Sequence, residues 1–265
     1  NDLARVLGWA QSGGWGLEAG RVQMSHVLVD VEKASVALLD RWKIEFNPTA
    51  DRGRSFDHPG GGHHRRHSMG DPAKPVRPAR IMNNYLGVGV DAKVALDVHN
   101  MRETHPEWFF SQMGNKMWYT GLGARENLSH SCSNLANMLT VECDGKRVAI
   151  PPDAEGILVL NINSFMGGVT LWQSPDADRP LPPQSMHDQL LEVVAVFGSA
   201  HLGRLQLGLT TAPCLAQCST LRITTKGELP MQVDGEPFVQ PRATVLINHH
   251  NQAWMLVRET EEVTA

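Results

Sequence analysis

Three places in this sequence of 265 residues hold acids where a carboxylate can do chemistry. The first is Asn1–Asp2, directly before Leu3–Ala4–Arg5. An acid there faces the positive end of a helix, where it either caps the first turn or meets a ligand. The second is Gln232–Val233–Asp234–Gly235–Glu236–Pro237, which sets two carboxylates on a glycine turn with a proline at the exit. Acids so close raise one another's pKa and can divide the work of general base and metal-ordering group. The same Asp–Gly pair is also an ordinary hairpin turn. The third is Met186–His187–Asp188, followed by Gln189–Leu190–Leu191–Glu192–Val193–Val194. Asp188 stands at the entrance to an apolar strand, either as part of a domain-junction site or as a solvated acid.

Other reactive residue types point to less. His58, His63, His64 and His67 lie in one Pro-, Gly- and Arg-rich stretch between residues 47 and 80. Little that is apolar lies there to fix ligand geometry, so a flexible insertion is expected rather than a metal site. Arg65–Arg66 before Ser68 reads as a basic-directed phosphorylation site. Cys132, Cys143, Cys214 and Cys218 form no Cys-x-x-Cys pair, and reduced buried thiols suit a cytoplasmic protein. A formal net charge of −4 argues against broad nucleic-acid binding, which needs a basic surface. The longest apolar run falls far short of the ~18 residues that span a bilayer. The chain opens on Asn1 with no apolar signal segment, so it is expected to begin inside a longer protein.

The elements that must position these acids change character along the chain. Leu3, Val6, Leu7 and Ala10 keep helical spacing, and Met24, Val27, Leu28 and Val31 predict a second helix. Val36, Leu38, Trp42, Ile44 and Phe46 alternate as a strand. Tyr85–Val90 predicts a strand, Val94–Arg102 a helix ended by Pro106, and Trp108–Met117 another helix. Beyond Leu139 the sequence predicts short strands at Leu139–Cys143, Arg147–Ile150, Gly156–Asn161, Leu190–Phe197, Ser219–Thr225, Met231–Val233, Thr244–His249 and Ala253–Val257. One helix over about Leu205–Cys218 is expected to interrupt them. Glycine and proline turns between the strands suggest a sandwich or open barrel.

Taken in order, these phrases resemble one family. Asn1–Asp2–Leu3–Ala4–Arg5 is similar to the end of the Gly-Thr-Gly-Asn-Asp-Leu-Ala-Arg motif of diacylglycerol kinase catalytic domains. Leu39–Asp40–Arg41–Trp42 resembles the strand that closes that domain. Asn83–Asn84–Tyr85, Gly87–Val88–Gly89–Val90–Asp91–Ala92 and His99–Asn100–Met101–Arg102–Glu103 resemble the opening of the accessory domain. Gly167–Gly168, Leu171–Trp172, Ser185–Met186–His187–Asp188, Leu202–Gly203–Arg204–Leu205–Gln206 and Val233–Asp234–Gly235–Glu236–Pro237 continue the match. The wording at Gln184–Asp188 and His249–His250 looks closest to the plant and algal branch.

The resemblance implies an α+β chain: residues 1–46 as the C-terminal remnant of an α/β kinase catalytic domain, 47–80 as the insertion, 81–258 as a β-sandwich-like accessory domain with a few helices, and 259–265 as a loose tail. It implies transfer of the γ-phosphoryl group of ATP, with Mg2+, to the hydroxyl of diacylglycerol, giving phosphatidic acid. Glu236 is then the candidate base or hydroxyl-orienting group and Asp234 the builder of its turn. Asn1, Asp2 and Gly235 fall on the nucleotide side, and Asp188 in a water-mediated magnesium network. The expected partners are diacylglycerol and a membrane surface met peripherally and transiently. The family's Gly-Gly-Asp-Gly-Thr phosphate-binding motif does not occur, so this chain alone is expected to lack kinase activity. Thr211–Cys218 lacks the basic run of relatives, and Phe238 stands where many have Trp. A lipid kinase acting on sphingoid bases or ceramide, and a non-catalytic lipid-binding or regulatory module, are the alternatives.

Overall fold

The computed structural model describes residues 2–9, 24–49, 78–105, 132–173 and 181–258. Asn1, residues 50–77 of the histidine-rich insertion with Ser68, the helix expected over Trp108–Met117 and the tail 259–265 lie outside the described residues, while the two ends of the expected insertion fall in strands, Asn47–Pro48 in one and Arg80 in another. Two six-stranded sheets face each other across one apolar core. The first has the order β2 (Arg80–Met82), β1 (Ser35–Pro48), β12 (Ala243–Val257), β9 (Thr220–Thr225), β4 (Leu139–Cys143) and β5 (Lys146–Val148). The second has the order β11 (Glu236–Gln240), β10 (Leu229–Val233), β3 (Tyr85–Gly89), β6 (Gly156–Leu160), β7 (Leu191–Val196) and β8 (Cys214–Cys218). Every strand pairing in both sheets is antiparallel.

Alternation decides which sheet is covered on one face and which on two. In β1, Trp42, Ile44 and Phe46 enter the core while Arg41, Lys43 and Glu45 turn outward. In β6 and β7 nearly every residue is apolar. Ile157, Val159, Val193 and Ala195 pack between the sheets, whereas Leu158, Leu160, Val194 and Val196 pack on the opposite face with Phe165, Leu171, Leu202 and Leu205. A strand buried on both faces reads as a continuous apolar run, and these two do.

Five helices lie among the described residues: α1 (Asp2–Val6), α2 (Met24–Lys33), α3 (Val90–Thr104), α4 (Leu135–Met138) and α5 (Ser199–Gln206). The expected sandwich with few helices is the observed architecture. Residues 35–48 belong to the same sheet as the C-terminal strand, with β1 and β12 paired from Ser35↔Val257 to Pro48↔Ala243.

Three expectations are corrected. The helix expected over Leu205–Cys218 is instead the end of α5 followed by β8. Gly208, at φ 68°, turns the chain out of the helix, and the Pro213 carbonyl accepts from Ala195 N–H in the neighbouring strand. The two strands expected at 244–249 and 253–257 are one strand carrying a bulge opposite Arg41/Trp42. Glu236–Gln240, read only as part of a turn, is a strand because the Asp–Gly dipeptide closes a hairpin.

Candidate functional site

Asp234 and Gly235 both have positive φ, 51° and 87°, as a two-residue type I′ hairpin loop requires. They join β10 to β11, with Val233 facing Glu236. The Asp234 carboxylate does not point into solvent. Its Oδ2 accepts from Asn83 N–H at 2.8 Å and Asn83 Nδ2 at 3.2 Å. Its Oδ1 accepts from Asn84 N–H at 2.8 Å and Tyr85 N–H at 3.1 Å. The turn between β2 and β3 is therefore built on this one side chain.

Tyr85 links the hairpin to the chain start. Its hydroxyl donates to Asp2 Oδ2 at 2.9 Å, and Asp2 Oδ1 accepts from Ser164 Oγ at 2.7 Å and Gly167 N–H at 2.8 Å. Asp2 is buried, and its carboxylate ties α1 to the glycine loop after β6. Burial pushes the Tyr85 phenol far above its ordinary range, and the charge and hydrogen bond of Asp2, then Asp91 and Asp234, add to that. The phenol stays protonated and acts as a donor strut.

Asn161, fully buried, holds the neighbouring elements in register. Its Oδ1 accepts from Trp42 Nε1 at 2.7 Å, and its Nδ2 donates to the carbonyls of Asp40 at 2.8 Å and Asn83 at 2.6 Å. Beyond it lies a second buried acid. Asp40 Oδ1 meets His249 Nε2 and Gln252 Nε2, both at 2.9 Å, and Oδ2 accepts from Gln189 N–H at 2.6 Å.

The residues expected to act divide as follows. Asp2 and Asp234 are brought together on Tyr85, with every carboxylate oxygen already occupied. Gly235 spends its N–H on Gln232 Oε1, at 2.8 Å, so it offers no amide to a phosphate. Glu236 is exposed on the hairpin, and among the described residues no hydrogen bond or ion pair engages its carboxylate. Asp188 lies apart from them, exposed beside Asp40, with Oδ1 accepting from Leu190 N–H at 3.0 Å. Partial burial raises its pKa against that bond, with a smaller contribution from the Asp40 charge. Among the described residues no group of three His, Cys, Asp or Glu converges as a metal cage would need.

The residue types and spacing give no sign of a site role for Tyr85, Ser164, Asn161, Asp91 or Gln232. Tyr85 and Asp91 stood inside the family-like phrases, but their roles depend on contacts across the sheets.

A two-layer antiparallel sandwich with an acidic hairpin pinned to its second sheet is thus the scaffold. The profile of the diacylglycerol kinase accessory domain matches residues 81–237, and the chain belongs to that family. It is 44% identical over 263 residues to diacylglycerol kinase 1 of Arabidopsis thaliana, covering 99% of this chain and 33% of that protein. Diacylglycerol kinase 2 of the same plant is 41% identical over 263 residues, covering 99% of this chain and 34% of that protein. The chain thus spans about a third of the length of these two curated relatives. A solved diacylglycerol kinase of Bacillus anthracis is similar at 12% identity and a TM-score of 0.45, covering 99% of this chain and 65% of that one.

Proposed function

We propose that the protein carrying this chain is a lipid kinase that moves the γ-phosphoryl group of MgATP to the free hydroxyl of diacylglycerol, giving phosphatidic acid. The observation that carries the reading is the contrast on one hairpin: Asp234 is saturated by four donors, while Glu236 stands exposed with no partner among the described residues. Asp234 builds the turn, and Glu236 meets the acceptor hydroxyl. As the hydroxyl oxygen attacks the γ-phosphorus, its proton passes to the Glu236 carboxylate and ADP leaves with the bond electrons. Asn1 and Asp2 belong to the nucleotide side at the start of α1, with Asp2 anchoring that helix through Tyr85, Ser164 and Gly167. Magnesium arrives with ATP as part of the substrate; Asp188, a single exposed carboxylate, would touch it only through water.

In this reading residues 1–46 are the end of the catalytic domain and 81–258 the accessory domain. The membrane surface that holds the lipid is met peripherally; among the described residues no helix is long and apolar enough to cross a bilayer.

The test is turnover of the intact protein on diacylglycerol in mixed micelles. Glu236→Gln is expected to lower kcat about 100-fold or more, with little change in KM for MgATP. Near-normal turnover in that variant would remove Glu236 from the reaction. Preferential phosphorylation of ceramide or a sphingoid base would replace the substrate.

A further inference from the structure

Asp91 is one of the buried acids that this mechanism leaves unused. It stands in the first turn of α3 and lies against β3 and β10. We propose that Asp91 is a positioning residue that sets the Asp234–Gly235–Glu236 turn through the side chain of Gln232. This deepens the reading of that hairpin as the acceptor site and rests on it for its catalytic consequence.

The packing is specific to a carboxyl group. Gly87 of β3 pairs with Gln232 of β10, and a Cβ on Gly87 would stand 1.9 Å from Asp91 Oδ2. Any other residue at 87 would displace the acid, so the glycine makes its seat on the sheet. Gln232, itself buried, then bridges seat and turn. Its Nε2 donates to Asp91 Oδ2 at 3.2 Å and its Oε1 accepts from Gly235 N–H at 2.8 Å. An amide flipped end for end would set Nε2 against the Gly235 N–H, two donors face to face. The turn amide therefore takes Oε1, and Asp91 Oδ2 receives the Nε2 end and holds the side chain in place.

Among the described residues Asp91 Oδ1 is buried with no hydrogen-bond partner. A charge there would be uncompensated, and burial pushes the carboxyl up to about 7, against opposing contributions from Gln232 and the Ala92 and Asp91 amides. The groups on neighbouring elements are the Tyr85 phenol on β3, Glu236 on β11, and His201 and Arg204 on α5; β10 carries none, and Lys93 on α3 is paired with Asp97. None of these charges appears among the influences on Asp91. Below about 7 the neutral acid keeps Oδ2 as the acceptor for Gln232. Ionisation above that point puts an unpaired charge beneath the hairpin and beside Tyr85, whose phenol already feels Asp2 and Asp234.

The test follows the backbone amide of Gly235 by heteronuclear NMR of the 265-residue chain across neutral pH. The wild-type resonance is expected to titrate with a midpoint of about 7. Asp91→Asn, an isostere of the neutral acid, should keep the resonance near its low-pH position and abolish the titration. Gln232→Met should uncouple the two, leaving the Asp91 carboxyl carbon titrating while Gly235 no longer responds. A Gly235 titration that persists in Asp91→Asn, or survives Gln232→Met, would overturn the proposal. In the intact enzyme Asp91→Asn should remove the neutral-pH limb of kcat while KM for MgATP stays put. The NMR outcome stands whether or not the protein proves to be a lipid kinase, so the two readings fail separately.

Discussion

The molecule contains the same dipeptide in the same turn twice. Asp144–Gly145 closes β4–β5 at the edge of one sheet, with φ of 48° and 75°, and Asp234–Gly235 closes β10–β11 at the edge of the other, with φ of 51° and 87°. Both carboxylates reach across to a neighbouring chain segment. Asp144 Oδ1 accepts from the amides and hydroxyls of Ser219 and Thr220 in an exposed setting. Asp234 accepts from Asn83, Asn84 and Tyr85, and Tyr85 continues to the buried Asp2. The next residue is Lys146 in the first hairpin and Glu236 in the second. Asp–Gly chemistry thus dictates a conformation, while the strand junction it meets decides whether that conformation serves an edge or a site.

The largest expected difference comes from removing each aspartate. Asp234→Ala strands several partly buried amides and is expected to cost about 3 kcal/mol, from the penalty per unsatisfied group. Asp144→Ala, whose partners turn to water instead, is expected to cost about 1 kcal/mol. Urea denaturation of the two variants measures both, and equal losses would end the contrast.

The two regions should also respond oppositely to pH. The folded Asp91 pKa is raised to about 7 from the ordinary carboxylate range, so the folded chain binds its proton more tightly than the unfolded one does. Stability from that proton is fully present below the unfolded value and is lost as pH rises through about 7. We expect a fall of roughly 2 kcal/mol over that window, allowing for relaxation around the group. For Asp144 slight burial would raise the pKa, but the Ser219 and Thr220 hydrogen bonds outweigh it and hold the group below its ordinary range. Its contribution is present above the unfolded value and disappears as pH falls through the folded one, and solvent screening keeps it small. Asp91→Asn should flatten only the fall in stability that runs up to pH about 7, and Asp144→Asn only the fall below the ordinary carboxylate range, as read from melting temperature against pH.

Tyr85→Phe removes only the hydroxyl bridge to Asp2 and should cost about 1 kcal/mol in the same denaturation measurement. Glu236→Gln, exposed and unpaired, should change stability by less than about 0.5 kcal/mol. A larger loss would mean that Glu236 holds the fold, and its loss of turnover could then not be read as chemistry.

Much of the sandwich was legible because strand signals are local. Leu139–Cys143 falls where alternation predicts it, and β6 and β7 show the unbroken apolar runs of strands buried on both faces. The 205–218 segment misled because its spacing allows a helix, and only pairing with β7 makes Cys214–Cys218 a strand. The site was half legible. Asp234 and Glu236 stood out as acids on a turn, but nothing in their spacing separates a saturated carboxylate from an open one.

The sequence by itself determined the family through its ordered phrases, the hairpin through Asp234–Gly235, and most strands through alternation. Tertiary structure decided the roles of the acids. Asp2 and Tyr85 are 83 residues apart, Tyr85 and Asp234 149, and Asp91 and Gln232 141. Periodicity is set by neighbours along the chain, whereas burial and hydrogen-bond saturation are set by which strands pair across it. For that reason Asp91, an ordinary acid in the first turn of a helix when read in sequence, becomes a neutral support beneath the hairpin only in the folded protein.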